Sequence, residues 1–319
     1  MMRRVDARRE ILQNLAKLSA AGRSVTAVGT GLPREQLQEL MGAFGLPMPD
    51  PDEPAFTESE AAALLELWAH REAWPFEVTI QVSRMYGRLL ARIAHATIQL
   101  WVSAVEPTLG EDLTEAGRLG ELLPVSDALL AMVHRRWLER EAEQMALRDV
   151  PLVRDRGATT LGAVEVSFLF CDLKDFTAFA DRQGDDAAVR IIDRFATVVS
   201  RSHGPHARLT KLLGDGFMCA YPEPHMAVEA GARIIDGMHA PGLPGVHASV
   251  HHGLAIPREG DYFGASVNLT ARLLGEAQNN ELVATRAAVE RCPQYGWEPA
   301  GTLQIRGIAE AVELFKLRR

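Results

Sequence analysis

Apolar residues recur every three or four positions along most of the first 150 residues, a spacing that predicts one amphipathic helix after another. Val5, Leu12, Leu15 and Leu18 mark a first helix that stops at Ala21-Gly22. Leu37, Leu40, Met41 and Phe44 form a stripe between Pro33 and Phe44. Pro47, Pro49, Pro51 and Pro54 then forbid regular helix. Thr57-Glu58-Ser59-Glu60 has the form of a capping box and opens a helix through Trp68. A longer helix is expected from about Phe76 to Val105, striped by Val78, Val82, Tyr86, Leu89, Ile93, Ala96 and Leu100. Another, from Ser126 to Leu147, carries Leu129, Met132, Val133, Trp137 and Met145. Pro151 and the run Arg154-Asp155-Arg156-Gly157 close this half. The expected organisation is an all-helical domain over 1–150, a linker over 151–162 and a second domain over 163–319.

Beyond the linker the period changes. Val164 to Phe170 is an apolar, β-branched and aromatic run that predicts a buried strand. One helix is expected from Phe176 to Ser200, followed by a hairpin over Leu209–Tyr221 and a helix from His225 to Met238. A strand from Val246 to Ile256, a helix from about Ser266, a short helix from Thr285 to Cys292 and closing strands from Trp297 to Leu317 complete the order. That alternation fits an α+β domain with helices on a mostly antiparallel sheet.

A length of 319 residues suits two domains, because single cores seldom grow past ~250–300 residues. With 47% hydrophobic and 24% charged residues the chain has the composition of a packed protein rather than a disordered one. A net charge of -8 argues against a nucleic-acid backbone as main partner, and Glu35 to Gly45 lacks a basic recognition helix. Cys171, Cys219 and Cys292 form no disulfide or zinc pattern, which suits a reducing cytosol. Met1 to Lys17 is charged throughout and has no signal-peptide core, and no window offers 18 uncharged apolar residues. A soluble cytoplasmic protein is the expectation. His70, His95 and His134 have no ligand spacing, and His251 and His252 fall on opposite faces of their strand. Packing in the core or at a dimer interface suits His247, His251 and His252 better than metal ligation.

Three segments carry candidate chemistry. Asp172 ends the first strand of the second domain, just before a helix. Lys211-Leu212-Leu213-Gly214-Asp215-Gly216 places a lysine on one arm of a hairpin and an aspartate at its tip. Asp261, Asn268 and Arg272 follow at intervals of seven and four, the last two sharing one helix face. Two carboxylates, one at a strand end and one at a hairpin tip, suit hard divalent cations completed by phosphate and water. Each piece also has an ordinary reading: a helix cap at Asp172, a turn residue at Asp215, a solvated helix face at Asn268 and Arg272.

Taken together, Asp172, Lys211, Asp215, Asp261, Asn268 and Arg272 resemble, in type, order and spacing, the catalytic residues of class III nucleotidyl cyclases, and specifically the adenylyl cyclases. The resemblance covers roughly residues 160 to 319. The helical half, with patches such as Pro51-Asp52-Glu53-Pro54-Ala55-Phe56-Thr57, is similar to the N-terminal regulatory domain of some soluble actinobacterial adenylyl cyclases. This likeness implies conversion of ATP to 3′,5′-cyclic AMP and pyrophosphate at the interface of a homodimer. Asp172 and Asp215 would hold two Mg²⁺ or Mn²⁺ ions, Arg272 would stabilise the transition state and Asn268 would orient the ribose. Lys211 and Asp261 would read adenine. The backbone from Leu173 into Phe176 and Thr177, at a helix N-terminus, would cradle phosphate oxygens. Arg306, where many relatives carry a lysine, would be a triphosphate contact. The likeness also implies modulation by a proton, lipid or small molecule at the helical half, where His134 is a residue type that changes charge near neutrality. A guanylyl cyclase and a catalytically weak cyclase-fold signalling module are the alternatives.

Overall fold

The computed structural model describes residues 19–105, 114–146, 162–204, 207–258, 260–304 and 311–318, with isolated positions before residue 19. At 104–105, 114–122, 144–146, 209–210 and 212–213 only the backbone is described. The chain divides into two compact units, Met1–Leu147 and Arg148–Arg319. Most of the expected first helix, and the expected linker up to residue 161, fall outside the described residues.

In the first unit α1 (Arg34–Phe44) turns Leu37, Leu40 and Met41 inward. Helix α2 (Glu58–Ala69) opens on the encoded capping box: Glu60 donates its N–H to Thr57 Oγ1 at 3.2 Å, and Thr57 donates its N–H to Glu60 Oε2 at 2.8 Å. An antiparallel bridge joins Val25 to Phe56, beside a small core of Ala27, Leu32, Leu37, Met41 and Ala61. The long α3 (Phe76–Val105) keeps its predicted bounds. Helix α4 (Thr114–Ala146) begins well before the expected Ser126 and carries Pro124 inside it. Proline removes one backbone donor and crowds the preceding turn, which reads as a stop in sequence, yet here helix persists on both sides. Tyr86 of α3 meets His134 of α4, with OH and Nε2 at 3.2 Å and the rings edge to face at 5.7 Å.

The second unit is built on an eight-stranded sheet. Its strands are β1 (Val164–Leu173), β2 (Arg208–Leu213), β3 (Gly216–Tyr221), β4 (Val246–Arg258), β5 (Asp261–Phe263), β6 (Leu282–Thr285), β7 (Trp297–Leu303) and β8 (Val312–Leu317). Their order is β2-β3-β1-β4-β6-β8-β7, with β5 hydrogen-bonded to β4. Every pairing is antiparallel except β4 with β6. Strand β1 lies between β3 and β4, and its apolar run is continuous because both faces are covered. Leu169, Cys171 and Leu173 pack on one face against α6 (Asp185–Ser202) and α7 (Pro224–Met238). Val166, Phe168 and Phe170 pack on the other with Met218, Ala220 and Tyr262, beneath α8 (Ala265–Leu273).

The single helix expected from Phe176 to Ser200 is two: α5 (Phe176–Gln183) and α6. Gly184 divides them at φ 83 and ψ 165, a conformation that favours glycine, and Asp185 and Asp186 begin the new first turn. Apolar spacing runs on across this break, so periodicity alone missed it. A short α9 (Arg286–Val289) follows β6.

A contact between α1 and α3 gives a test of the first unit. A Cβ on Gly87 would stand 2.4 Å from the Phe44 carbonyl oxygen and 2.6 Å from its carbon. Alanine is the better helix former by ~1 kcal/mol, so Gly87→Ala would stabilise an unpacked α3. With the backbones this close the opposite sign is expected, a loss of ~1–3 kcal/mol seen as a lower thermal midpoint. A raised midpoint would show that α1 and α3 do not pack there.

Candidate active site

The cover over β1 ends at Asp172. Its register partners are Gly216 on β3 and His247 on β4, which places the three residues in one row across the sheet. A Cβ at Gly216 would come within 2.9 Å of Asp172 Oδ1 and 3.1 Å of the Cys171 carbonyl oxygen. Only glycine therefore lets the hairpin start lie this close to the carboxylate. Asp215 precedes it at the tip, tied back by the Leu173 N–H donating to its carbonyl at 3.4 Å.

This corner is short of compensation. Asp172 Oδ1 is buried and has no hydrogen-bond partner, while Oδ2 faces His247 Nε2 at 3.6 Å, too far for a hydrogen bond. His247 is itself buried, with Nδ1 3.3 Å from the Ala277 carbonyl oxygen. Burial, and after it the charge of Asp172, hold the Asp215 carboxyl above its ordinary range, against the opposing pull of a backbone hydrogen bond and of His247. A repelling carboxylate pair with an orphaned buried oxygen is a donor set that fits a hard divalent cation. Among the described residues no group of three or more His, Cys, Asp or Glu side chains could complete a metal cage. Further ligands for such an ion would come from phosphate and water.

Helix α5 starts beside this pair. Its N-cap, Asp175, sits at φ 56, and the Asp175 side chain makes no cap hydrogen bond. Phe176 is half-buried against the helix-side core and Thr177 is exposed. The preceding residue is anchored by the Lys174 N–H donating to the Gly245 carbonyl at 2.8 Å.

The remaining candidates form a second group. Lys211 Nζ donates to Asp261 Oδ2 at 2.7 Å, across 50 positions of sequence, and Asp261 Oδ1 accepts the Tyr262 N–H at 2.8 Å. The pair is accessible, with side chains 50% and 23% exposed. Asn268 and Arg272 stand one turn apart on α8, both exposed. The opposite side of that helix is fixed to β4, Ser249 Oγ donating to the Thr270 carbonyl and Ser266 Oγ to the Leu254 carbonyl, each at 2.8 Å. Arg306 lies outside the described residues.

His247 is the neighbour that sequence reasoning placed in packing and the structure places at Asp172. Strand pairing alone creates that contact, and nothing in the spacing of 75 residues between them announces it. His251 and His252 do act in packing: His251 Nδ1 lies 2.8 Å from Thr285 Oγ1 and His252 Nδ1 2.8 Å from Ser167 Oγ. Burial pushes His251 down to about 4 and lowers His252, so both favour the neutral form.

No family model matches the chain. Over 311 aligned residues it is 27% identical to a pH-sensitive adenylate cyclase of Mycobacterium tuberculosis, covering 91% of this chain and 76% of that protein. It is likewise 27% identical over 260 residues to an adenylate cyclase of Streptomyces griseus, with 78% of this chain and 63% of that one covered. Among solved structures, the adenylyl cyclase CyaB from P. aeruginosa superposes on 50% of this chain and 95% of its own, at 16% identity and a TM-score of 0.45. Both sequence alignments extend from the sheet unit into the helical unit, and both lead to proteins named for one activity. Over most of its length the chain is thus similar to proteins named adenylate cyclase.

Proposed function

We propose that this chain converts ATP to 3′,5′-cyclic AMP and pyrophosphate at a site shared between two copies. The observation that carries the choice of purine is the Lys211–Asp261 pair. A lysine ammonium only donates and an ionised aspartate only accepts, which matches the N1 acceptor and the N6 amine of adenine. Guanine reverses both polarities.

In the reaction the ribose 3′-oxygen attacks the α-phosphorus, the α–β bridging bond breaks and pyrophosphate leaves. Asp172 and Asp215 would hold two Mg²⁺ or Mn²⁺ ions. When bound, these supply charge neutralisation on the phosphates and a lower 3′-hydroxyl pKa. The residues of the chain act by placement and charge. Backbone amides of the first α5 turn, around Phe176 and Thr177, orient phosphate oxygens. Asn268 hydrogen-bonds the ribose, and the Arg272 guanidinium faces the negative charge that builds on the α-phosphate. Arg306 is a further candidate for the triphosphate.

One copy supplies the two aspartates and the other supplies Lys211, Asp261, Asn268 and Arg272, so a two-fold dimer has two equivalent sites. The separate surroundings of the two groups support this division: Lys211 bonds Asp261, whereas Asp172 only faces His247 at 3.6 Å. The helical unit modulates the output, with a proton, a lipid or a small molecule as its signal. The naming of the Mycobacterium relative as pH-sensitive supports that part.

Purified chain given Mn²⁺ and ATP should release cyclic AMP, with little product from GTP. Asp172→Ala and Asp215→Ala should each lower turnover about 100-fold or more while leaving the circular dichroism spectrum unchanged. Cyclic GMP as main product would replace adenylyl by guanylyl chemistry, and no cyclic nucleotide at all would point to a signalling module.

Shared sites predict complementation. Mixed Asp172→Ala and Arg272→Ala chains, each inactive alone, should regain activity because one of the two sites in the mixed dimer is intact. Subunit exchange followed by labelled chains, without recovered activity, would exclude a shared site.

Regulation is read by comparing the full chain with one starting near Arg154 across about pH 5.5–8. The shorter chain should show the flatter profile. Coincident profiles and equal specific activities would remove the helical unit as a regulator of this kind.

A further inference from the structure

We propose that Arg208 and Tyr262 are positioning residues for purine reading: they fix the spacing between Lys211 and Asp261. This rests on the reading of that pair as the adenine contact.

Arg208 and Lys211 are three residues apart, and an unbroken strand would send them to opposite faces. The register explains why they share one. Arg208 pairs with Ala220 and Lys211 with Met218, so β2 uses three residues where β3 uses two, with the irregularity between Leu209 and Lys211. Ala220 and Met218 belong to the face that holds Phe168, Phe170 and Tyr262. The bulge thus aims both cations of β2 at β5.

Two cross-links result. Lys211 Nζ donates to Asp261 Oδ2 at 2.7 Å, and Arg208 Nη1 donates to Tyr262 OH at 3.1 Å. They join adjacent residues of β5 to positions three apart on β2, which sets orientation as well as distance. Tyr262 is well anchored: it is 6% exposed and its ring meets Phe168 edge to face at 5.5 Å, at the centre of the sheet. Its N–H also fixes Asp261 Oδ1 at 2.8 Å.

The second link matters because the first must yield. An accessible Lys–Asp pair contributes little by itself, and a base edge entering between Nζ and Oδ2 competes for both. Strand β5 has three residues and, among the described strands, pairs with β4 alone. When the ion pair opens to a base, the Arg208–Tyr262 bond still holds β5 against β2. Base discrimination demands donors and acceptors held within about 0.5 Å. Removing the tie should therefore cost selectivity before it costs chemistry.

The test measures kcat and KM for ATP and GTP with Mn²⁺ on the full chain and on Tyr262→Phe, Arg208→Met and Arg208→Lys. Tyr262→Phe deletes a single oxygen and keeps the ring packing, so it reports even if Arg208→Met folds poorly. Tyr262→Phe and Arg208→Met should each lower the ATP-to-GTP ratio of kcat/KM about fivefold or more, through KM for ATP, with kcat changed less than about twofold. Arg208→Lys, which keeps a donor, should recover most of the ratio. A merely structural role would reduce the active fraction for both nucleotides alike and leave the ratio where it was. An unchanged ratio in both deletion variants, in a chain that prefers ATP, overturns the positioning role alone. A wild-type chain without preference for ATP overturns the reading of the site and this inference with it.

Discussion

Charge is expensive under a sheet face that is covered on both sides, and in this protein that expense decides where chemistry is placed. Strand β1 runs through the middle of the sheet with helices over each face, so its central run is buried and mostly apolar. Carboxylates stand on it only near its two ends: Glu165 is exposed at one, and at the other Asp172 emerges beside the start of β3 and the start of β4. Even there one oxygen stays buried without a partner, and the neighbouring Asp215 is held partly against ionisation. The corner is therefore primed for positive charge from outside the chain. Gly216, whose missing side chain leaves room for the carboxylate, and the Leu173 bond to the hairpin tip serve the same concentration of charge.

Much of this architecture was legible in the sequence because local rules and the final packing agree. Thr57 and Glu60 encode the cap they form, and the apolar run from Val164 is buried as its pattern predicts. The polar residues of the site are also visible as types and spacings, although their roles are proposals. What escaped the sequence came from geometry that periodicity does not carry. Apolar spacing runs unbroken through Gly184, but the backbone does not. Pro124 looks like a stop and is crossed by helix. His247 meets Asp172, and Arg208 joins Lys211 on one face, through strand register and a bulge that add no letter to the sequence.

The two groups of site residues differ in how they are made firm. Asp172 and Asp215 owe their positions to main-chain pairing within one three-strand ribbon, where rigidity comes with the sheet. Lys211 and Asp261 lie on neighbouring but unpaired strands, so side chains must supply what hydrogen-bonded backbone supplies elsewhere.

The one parallel pairing among the described strands, β4 with β6, has a mechanical consequence. Parallel neighbours need a crossover, and here the crossover includes α8, the helix of Asn268 and Arg272. Both ends of that segment are stitched into adjacent strands, and its inner side is bolted to β4 by Ser249 and Ser266. Any displacement of Asn268 and Arg272 therefore pulls on β4 and β6, the strands that carry the rest of the sheet.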